Sequence, residues 1–172
     1  MGDANCRELQ WIFAPASPRC SNNGATHLSF RSNRIEFEVE WGDCDPAKIV
    51  WNPRFFELFD RGTWALFQSV LGVPRQNLAR HFGIASIPLV EAGAQFMVPL
   101  KFGDAAELVS RPTYFRRASF AVSHQIFKGG KLAVDGLETR VWAGVHPDDP
   151  ARMRAATIPS EVIEQFRAPA SG

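Results

Sequence analysis

Residues 42 to 53 read Gly42-Asp43-Cys44-Asp45-Pro46-Ala47-Lys48-Ile49-Val50-Trp51-Asn52-Pro53. Two carboxylates and a thiol stand in a loop just ahead of a helix. Pro53 is well placed to open that helix, because its missing N–H falls where helices have no acceptor to offer. A helix N-terminus presents unpaired backbone N–H groups and the positive end of the helix dipole. Such donors hold a developing oxyanion while a neighbouring carboxylate acts on the same carbonyl. The layout suits hydrolysis of an ester or thioester without a serine nucleophile, with Asp45 as general base or as nucleophile. On spacing alone, the commoner use of Asp45-Pro46 is a plain turn into the helix. Asp43 has the same two readings and lies closer to the preceding strand. Cys44 has none of His27, His81, His124 or His146 near it in sequence, so it reads as a small hydrophobe.

Other candidates are weaker. Glu57 and Asp60 are three apart and share a helix face, with Asp60 reading as an exposed ion-paired position beside Arg61. Glu91 lies inside an apolar segment. Facing inward it would be a second acid or base; on an edge it carries nothing. Arg116 and Arg117 are adjacent at a turn, and Arg152 and Arg154 lie near the C-terminus. Basic pairs of this kind are solvated surface unless the fold gathers them around phosphate. His146-Pro147-Asp148-Asp149 reads as a polar turn, and no metal site is expected.

The elements that position these residues follow from periodicity. Ile35, Phe37, Val39 and Trp41 alternate with polar residues, which predicts a half-buried strand. Phe55, Phe56, Phe59, Trp64, Leu66, Phe67, Val70 and Leu71 recur at helical spacing, and Gly72 and Pro74 stop that helix. A shorter helix fits 75–82, closed by Gly83. Strands are expected at 89–100, 106–115, 119–127 and 131–145, with Gly129-Gly130 as a hairpin turn. Pro147 to Pro150 end the last strand, and a final helix fits 160–166 with Ser160 as its cap. One long helix followed by consecutive strands predicts an α+β fold, an antiparallel sheet with the helix lying on it.

At 172 residues, with 45% hydrophobic and 22% charged residues, one globular domain is expected. Residues 1–32 lack periodicity and read as a flexible leader, leaving 33–168 as the domain. A net charge of +1 argues against a general nucleic-acid surface. No apolar run approaches the roughly 20 residues that span a bilayer. No secretory pattern opens the chain, and Cys6, Cys20 and Cys44 suit neither a disulfide framework nor a metal site. A reduced, cytoplasmic protein is expected.

The segment from Glu40 to Pro53 resembles the active-site region of the 4-hydroxybenzoyl-CoA thioesterases, whose pattern is close to G-D-C-D-P-A-G-I-V-W followed by an aromatic residue, Pro and Asn. The likeness continues through Pro88-Leu89-Val90, Phe115-Arg116-Arg117-Ala118-Ser119-Phe120, Glu138-Thr139-Arg140-Val141 and Arg154-Ala155-Ala156-Thr157-Ile158-Pro159. It covers roughly residues 34 to 166. It implies a hotdog fold, in which an antiparallel sheet wraps around one long central helix. It implies hydrolysis of an acyl- or aryl-CoA thioester to free acid and CoA, with no cofactor. Asp45 is then the catalytic carboxylate and the Asn52 backbone N–H the oxyanion donor. Arg116, Arg117 and Arg154 then hold coenzyme A phosphates. Apart from the resemblance, Trp51, Phe55 and Phe56 are expected as aromatic wall for the acyl group, with Trp51, Phe56 and Glu91 as the substrate-binding candidates. A homodimer assembling to a homotetramer, with sites at subunit interfaces, is implied as well. Three positions depart from the pattern: Lys48 stands for Gly, Asn52 for an aromatic residue and Ala118 for Lys. A non-catalytic acyl-CoA-binding protein is the alternative, with a hotdog dehydratase ranked below it.

Overall fold

The computed structural model describes residues 30–167. The leader, with Cys6, Cys20 and His27, falls outside the described residues, except that Phe30 already packs edge-on against Phe115, with ring centroids 5.4 Å apart. The alternation from Ile35 makes strand β1 (Asn33–Glu38), with its apolar side half-buried. The strand stops short of Trp41. Asp43 closes a single 3-10 turn over Trp41–Asp43: its N–H donates to the Glu40 carbonyl at 3.1 Å, and its Oδ2 accepts the Glu40 N–H at 3.0 Å. That turn turns Trp41 out to 80% exposure.

Helix α1 (Asn52–Leu71) buries Phe55, Phe59, Gly62, Thr63, Leu66 and Phe67, the three- and four-residue spacing of one face. Gly72 ends it in the left-handed conformation that Gly adopts without strain. Helix α2 (Arg75–Phe82) follows. Strands β2 (Leu89–Phe96), β3 (Ala105–Phe115), β4 (Ser119–Lys128) and β5 (Lys131–Val141) join β1 in one antiparallel sheet of order β1-β3-β4-β5-β2. Gly129 and Gly130, both at positive φ, form the β4–β5 turn.

Three expectations needed correction. The segment 89–100 is not one strand: β2 ends at Phe96, where the Met97 and Val98 N–H groups both turn to the Ala133 carbonyl. The segment 131–145 is split. Trp142 drops into the core and donates its backbone N–H to the Ala118 carbonyl. The chain then forms a separate hairpin of β6 (Ala143–His146) and β7 (Asp149–Ala155). Finally, Pro159 rather than Ser160 caps helix α3 (Ser160–Phe166), and no side chain makes a capping bond there.

Two apolar clusters flank α1. One gathers Leu66, Phe67, Phe120, Trp142 and Phe166; the other gathers Val39, Phe55, Phe59, Leu108 and Ile126. Helix and sheet are also joined by a buried polar network. The His124 ring is stacked on Phe59, and its Nδ1 lies 2.9 Å from the Ser110 hydroxyl. His124 Nε2 lies 3.3 Å from Glu138 Oε2, which also accepts the Thr63 hydroxyl at 3.0 Å. Arg140 forks onto Glu138 at 3.0 and 3.2 Å and reaches Asp60 at 2.9 Å. Burial raises the Glu138 carboxyl pKa, but the His124 and Arg140 contacts together outweigh it and hold it below the usual glutamate value. With the ion pair and hydrogen bonds complete, these groups avoid the cost of burying unpaired charge. No helix among the described residues is long and apolar enough to cross a membrane.

Candidate active site

The segment between the 3-10 turn and α1 folds as a miniature hairpin. Cys44 and Val50 form its bridge. At its tip the Asp45 N–H donates to the Ile49 carbonyl at 3.0 Å, and the Lys48 N–H donates to the Asp45 carbonyl at 2.8 Å. Asp45 Oδ1 accepts the Ala47 N–H at 2.8 Å, which fixes the carboxylate direction. Its other oxygen has no partner among the described residues. Lys48 holds φ at 63°, the one non-glycine residue with positive φ among the described residues.

Three further bonds seat this hairpin on the fold. The Val50 N–H donates to the Leu100 carbonyl and the Trp51 N–H to the Asp43 carbonyl, each at 2.9 Å. Arg54, in the first turn of α1, forks onto Asp43. The helix proper begins at Asn52, after Trp51 in extended conformation and without a side-chain cap. Its Asn52 N–H donates to no acceptor among the described residues. A free carboxylate oxygen near the hairpin tip and a free helix N-terminal N–H just after the hairpin thus belong to one braced segment. Asp45 faces a cavity of about 460 Å³ together with Trp41, Cys44, Pro46, Lys48 and Phe102. Asn52 lies at a second cavity of about 200 Å³, walled by Phe55, Phe96, Met97 and Leu100.

The remaining candidates are placed as follows. Trp51 is 56% exposed and lines neither cavity. Phe56 packs edge-on against Phe59. Glu91 sits exposed on β2, an edge strand of the sheet, opposite Thr139. Arg116 lies over the Tyr114 ring, 4.9 Å from its centroid. The Arg117 carbonyl accepts the Ile158 N–H at 2.8 Å, so the turn carrying both arginines runs beside the chain that leaves β7. Arg154 is exposed on β7 opposite Gly144. Asp60 accepts bonds from Trp64, Arg75 and Arg140. His146 accepts the Asp148 N–H within its turn. No cluster of three or more His, Cys, Asp or Glu suited to a metal ion occurs among the described residues. Sequence reasoning passed over Arg54, whose pairing with Asp43 across 11 positions has no periodic signature.

A family model described as the thioesterase-like superfamily matches residues 39–166, which include the braced loop, α1 and the whole sheet except β1. The chain belongs to this superfamily. It is similar to the 4-hydroxybenzoyl-CoA thioesterase of Pseudomonas sp. (strain CBS-3), at 32% identity over 141 residues, covering 78% of this chain and 96% of that protein. A structure of a 4-hydroxybenzoyl CoA thioesterase variant complexed with 4-hydroxybenzoyl CoA superposes with a TM-score of 0.72 at 29% identity, covering 79% of this chain and 99% of that one. A gentisyl-coenzyme A thioesterase superposes with a TM-score of 0.67, also at 29% identity, covering 78% and 99%. The fold is the hotdog thioesterase fold, and the protein is a thioester hydrolase.

Proposed function

We propose that the protein hydrolyses an acyl- or aryl-CoA thioester, of the 4-hydroxybenzoyl-CoA kind, to the free acid and CoA. The observation that carries this reading is the braced segment with the unpartnered Asp45 oxygen and the unpartnered Asn52 N–H. In the reaction the Asn52 N–H and the helix dipole stabilise the thioester oxygen as negative charge develops on it. Asp45 either takes a proton from water as the water oxygen attacks the carbonyl carbon, or attacks that carbon itself to give a mixed anhydride that water then opens. On both routes the C–S bond breaks and the sulfur leaves as a thiolate. A thiolate is a good leaving group, so the step needs no metal or redox cofactor.

Arg116, Arg117 and Arg154 are assigned to coenzyme A phosphates, supported by the closeness of the 116–117 turn to the strand-leaving segment at Ile158. Trp51, Phe56 and Glu91 are assigned to the acyl site as it forms between subunits, where pairing at the β2 edge would turn the edge position of Glu91 into an interface position. Support for a dimer comes from β2. Among the described residues it pairs only with β5, and Leu89, Val90 and Phe96 on it are 45%, 60% and 47% exposed. An apolar, unpaired edge is a template for a second copy. Pairing of two dimers gives the tetramer, and the working compartment is the cytoplasm. Release of free thiol from a panel of aryl- and acyl-CoA thioesters tests the function. Turnover of aryl-CoA substrates is expected, and binding without turnover would overturn it.

A further inference from the structure

Lys48 breaks a local rule at the centre of the site. A left-handed residue with a side chain crowds its own carbonyl, a strain that Gly escapes. Backbone held in a sparsely populated region at a functional loop points to a role for the side chain that is held there. The loop bonds of Asp45 over-determine the turn, so the conformation persists with a lysine in it. Among the described residues the Lys48 ammonium pairs with no carboxylate, Asp45 included, and the residue is exposed. It lines the same cavity as Asp45. The walls of that cavity include Trp41 and Phe102, which are 80% and 63% exposed. Flat apolar walls, one reacting carboxylate and one unspent cation make a site for an aromatic acid with a second negative charge.

We propose that Lys48 sets acyl-group specificity, pairing with a carboxylate carried on the aryl ring of the thioester substrate. The inference rests on the thioesterase reading of Asp45; it places the ring substituent of the acyl group in the Asp45 cavity, with Trp51, Phe56 and Glu91 assigned to the other side of the ring. Coenzyme A phosphates are a poorer match for this ammonium. Lys48 is three residues from Asp45 in a tight turn, whereas the whole pantetheine arm separates the phosphates from the thioester.

The test compares two isosteric substrates, 3-carboxybenzoyl-CoA and 3-carbamoylbenzoyl-CoA, with the wild type, Lys48→Met and Lys48→Arg. The wild type is expected to prefer the carboxylate by about tenfold in kcat/KM, the worth of a charge-assisted contact. Lys48→Met should abolish that preference and Lys48→Arg should keep most of it. A preference of the same size in Lys48→Met, or none in the wild type, overturns the proposal. So does an equal loss on both substrates, which would mean contact with coenzyme A or with the developing oxyanion. Dissociation constants of both thioesters, measured by calorimetry on Asp45→Asn with and without Lys48→Met, separate the two readings. If no thioester is hydrolysed but binding keeps the Lys48-dependent preference, the hydrolase reading fails and the Lys48 assignment stands. If neither thioester binds, the assignment fails too.

Discussion

Arg54 holds one oxygen of Asp43 from two directions, with Nε at 3.0 Å and Nη2 at 2.9 Å from Oδ1. Asp43 spends its other oxygen on the Glu40 N–H and its carbonyl on the Trp51 N–H. One residue therefore fixes both ends of the hairpin that carries Asp45, by its carboxylate and its carbonyl, and Arg54 locks it to the first turn of α1. Misplacing a reacting group by an ångström can cost about 10²-fold in rate. Arg54→Met should leave the helix intact and lower kcat about tenfold, with a smaller change in KM. Steady-state kinetics beside far-UV circular dichroism checks this, and an unchanged kcat would show that the clamp does not position Asp45.

Close approach of α1 to the sheet depends on two glycines. A Cβ on Gly62 would come within 2.4 Å of the Ser110 hydroxyl and 2.9 Å of Leu108, and one on Gly136 within 2.4 Å of the Phe59 ring. Gly62→Ala and Gly136→Ala should each destabilise the fold by about 1–3 kcal/mol, as overpacked cores do. Urea unfolding provides the measurement. A gain in stability at either site, as expected where an alanine replaces glycine without strain, would contradict the packing described.

Much of this was legible in the sequence, and the misses have causes. Period 2 in Ile35 and Phe37 and helical spacing from Phe55 to Leu71 reflect one-sided burial, and both elements form as expected. Trp41 extended the strand pattern on paper, but the Asp43 turn overrides a single apolar residue. Strand β7 has Asp, Pro, Ala and Arg where strands favour branched or aromatic residues, and its residues are exposed, so nothing in it alternates. The polar network was the harder miss. On β5 the inward positions are Val134, Gly136, Glu138 and Arg140 while Leu137 is 48% exposed, so the apolar residues alone misstate which face is buried. On β4 the signal was present: His124 stands in step with Phe120, Val122 and Ile126. For the candidate site, the motif singled out Asp45 and Asn52, whereas the bracing by Arg54 required the folded chain.

Acid should act on the fold through Glu138. Its folded pKa lies below its unfolded value, so the folded state binds fewer protons between the two. The stability it contributes is complete above the unfolded glutamate pKa and is lost as pH falls from there through the depressed folded value. Glu138→Gln should flatten the dependence of Tm on pH in that window. At neutral pH it should cost about 3–5 kcal/mol, because Arg140 loses its buried partner and keeps only the part-exposed Asp60. Thermal melts from pH 3 to 7 measure both. Parallel curves for the two proteins would rule Glu138 out as the acid-sensitive group.

The β2 edge gives a prediction about assembly. Val90→Lys puts a charge on the exposed apolar edge and should shift a dimer or tetramer toward monomer, with activity falling alongside. Sedimentation at assay concentration reads the mass. A wild-type chain that is monomeric and fully active would remove the edge-pairing account and the shared site with it.

The most direct test of the central claim is Asp45→Asn, which keeps the side chain's size and its acceptor for the Ala47 N–H but removes the charge. Thioester hydrolysis by wild type and variant should be followed under saturating aryl-CoA, with circular dichroism confirming that both are folded. The account predicts a fall in kcat of about 10²-fold or more, with substrate binding retained. A folded Asp45→Asn protein that turns over near the wild-type rate would contradict it.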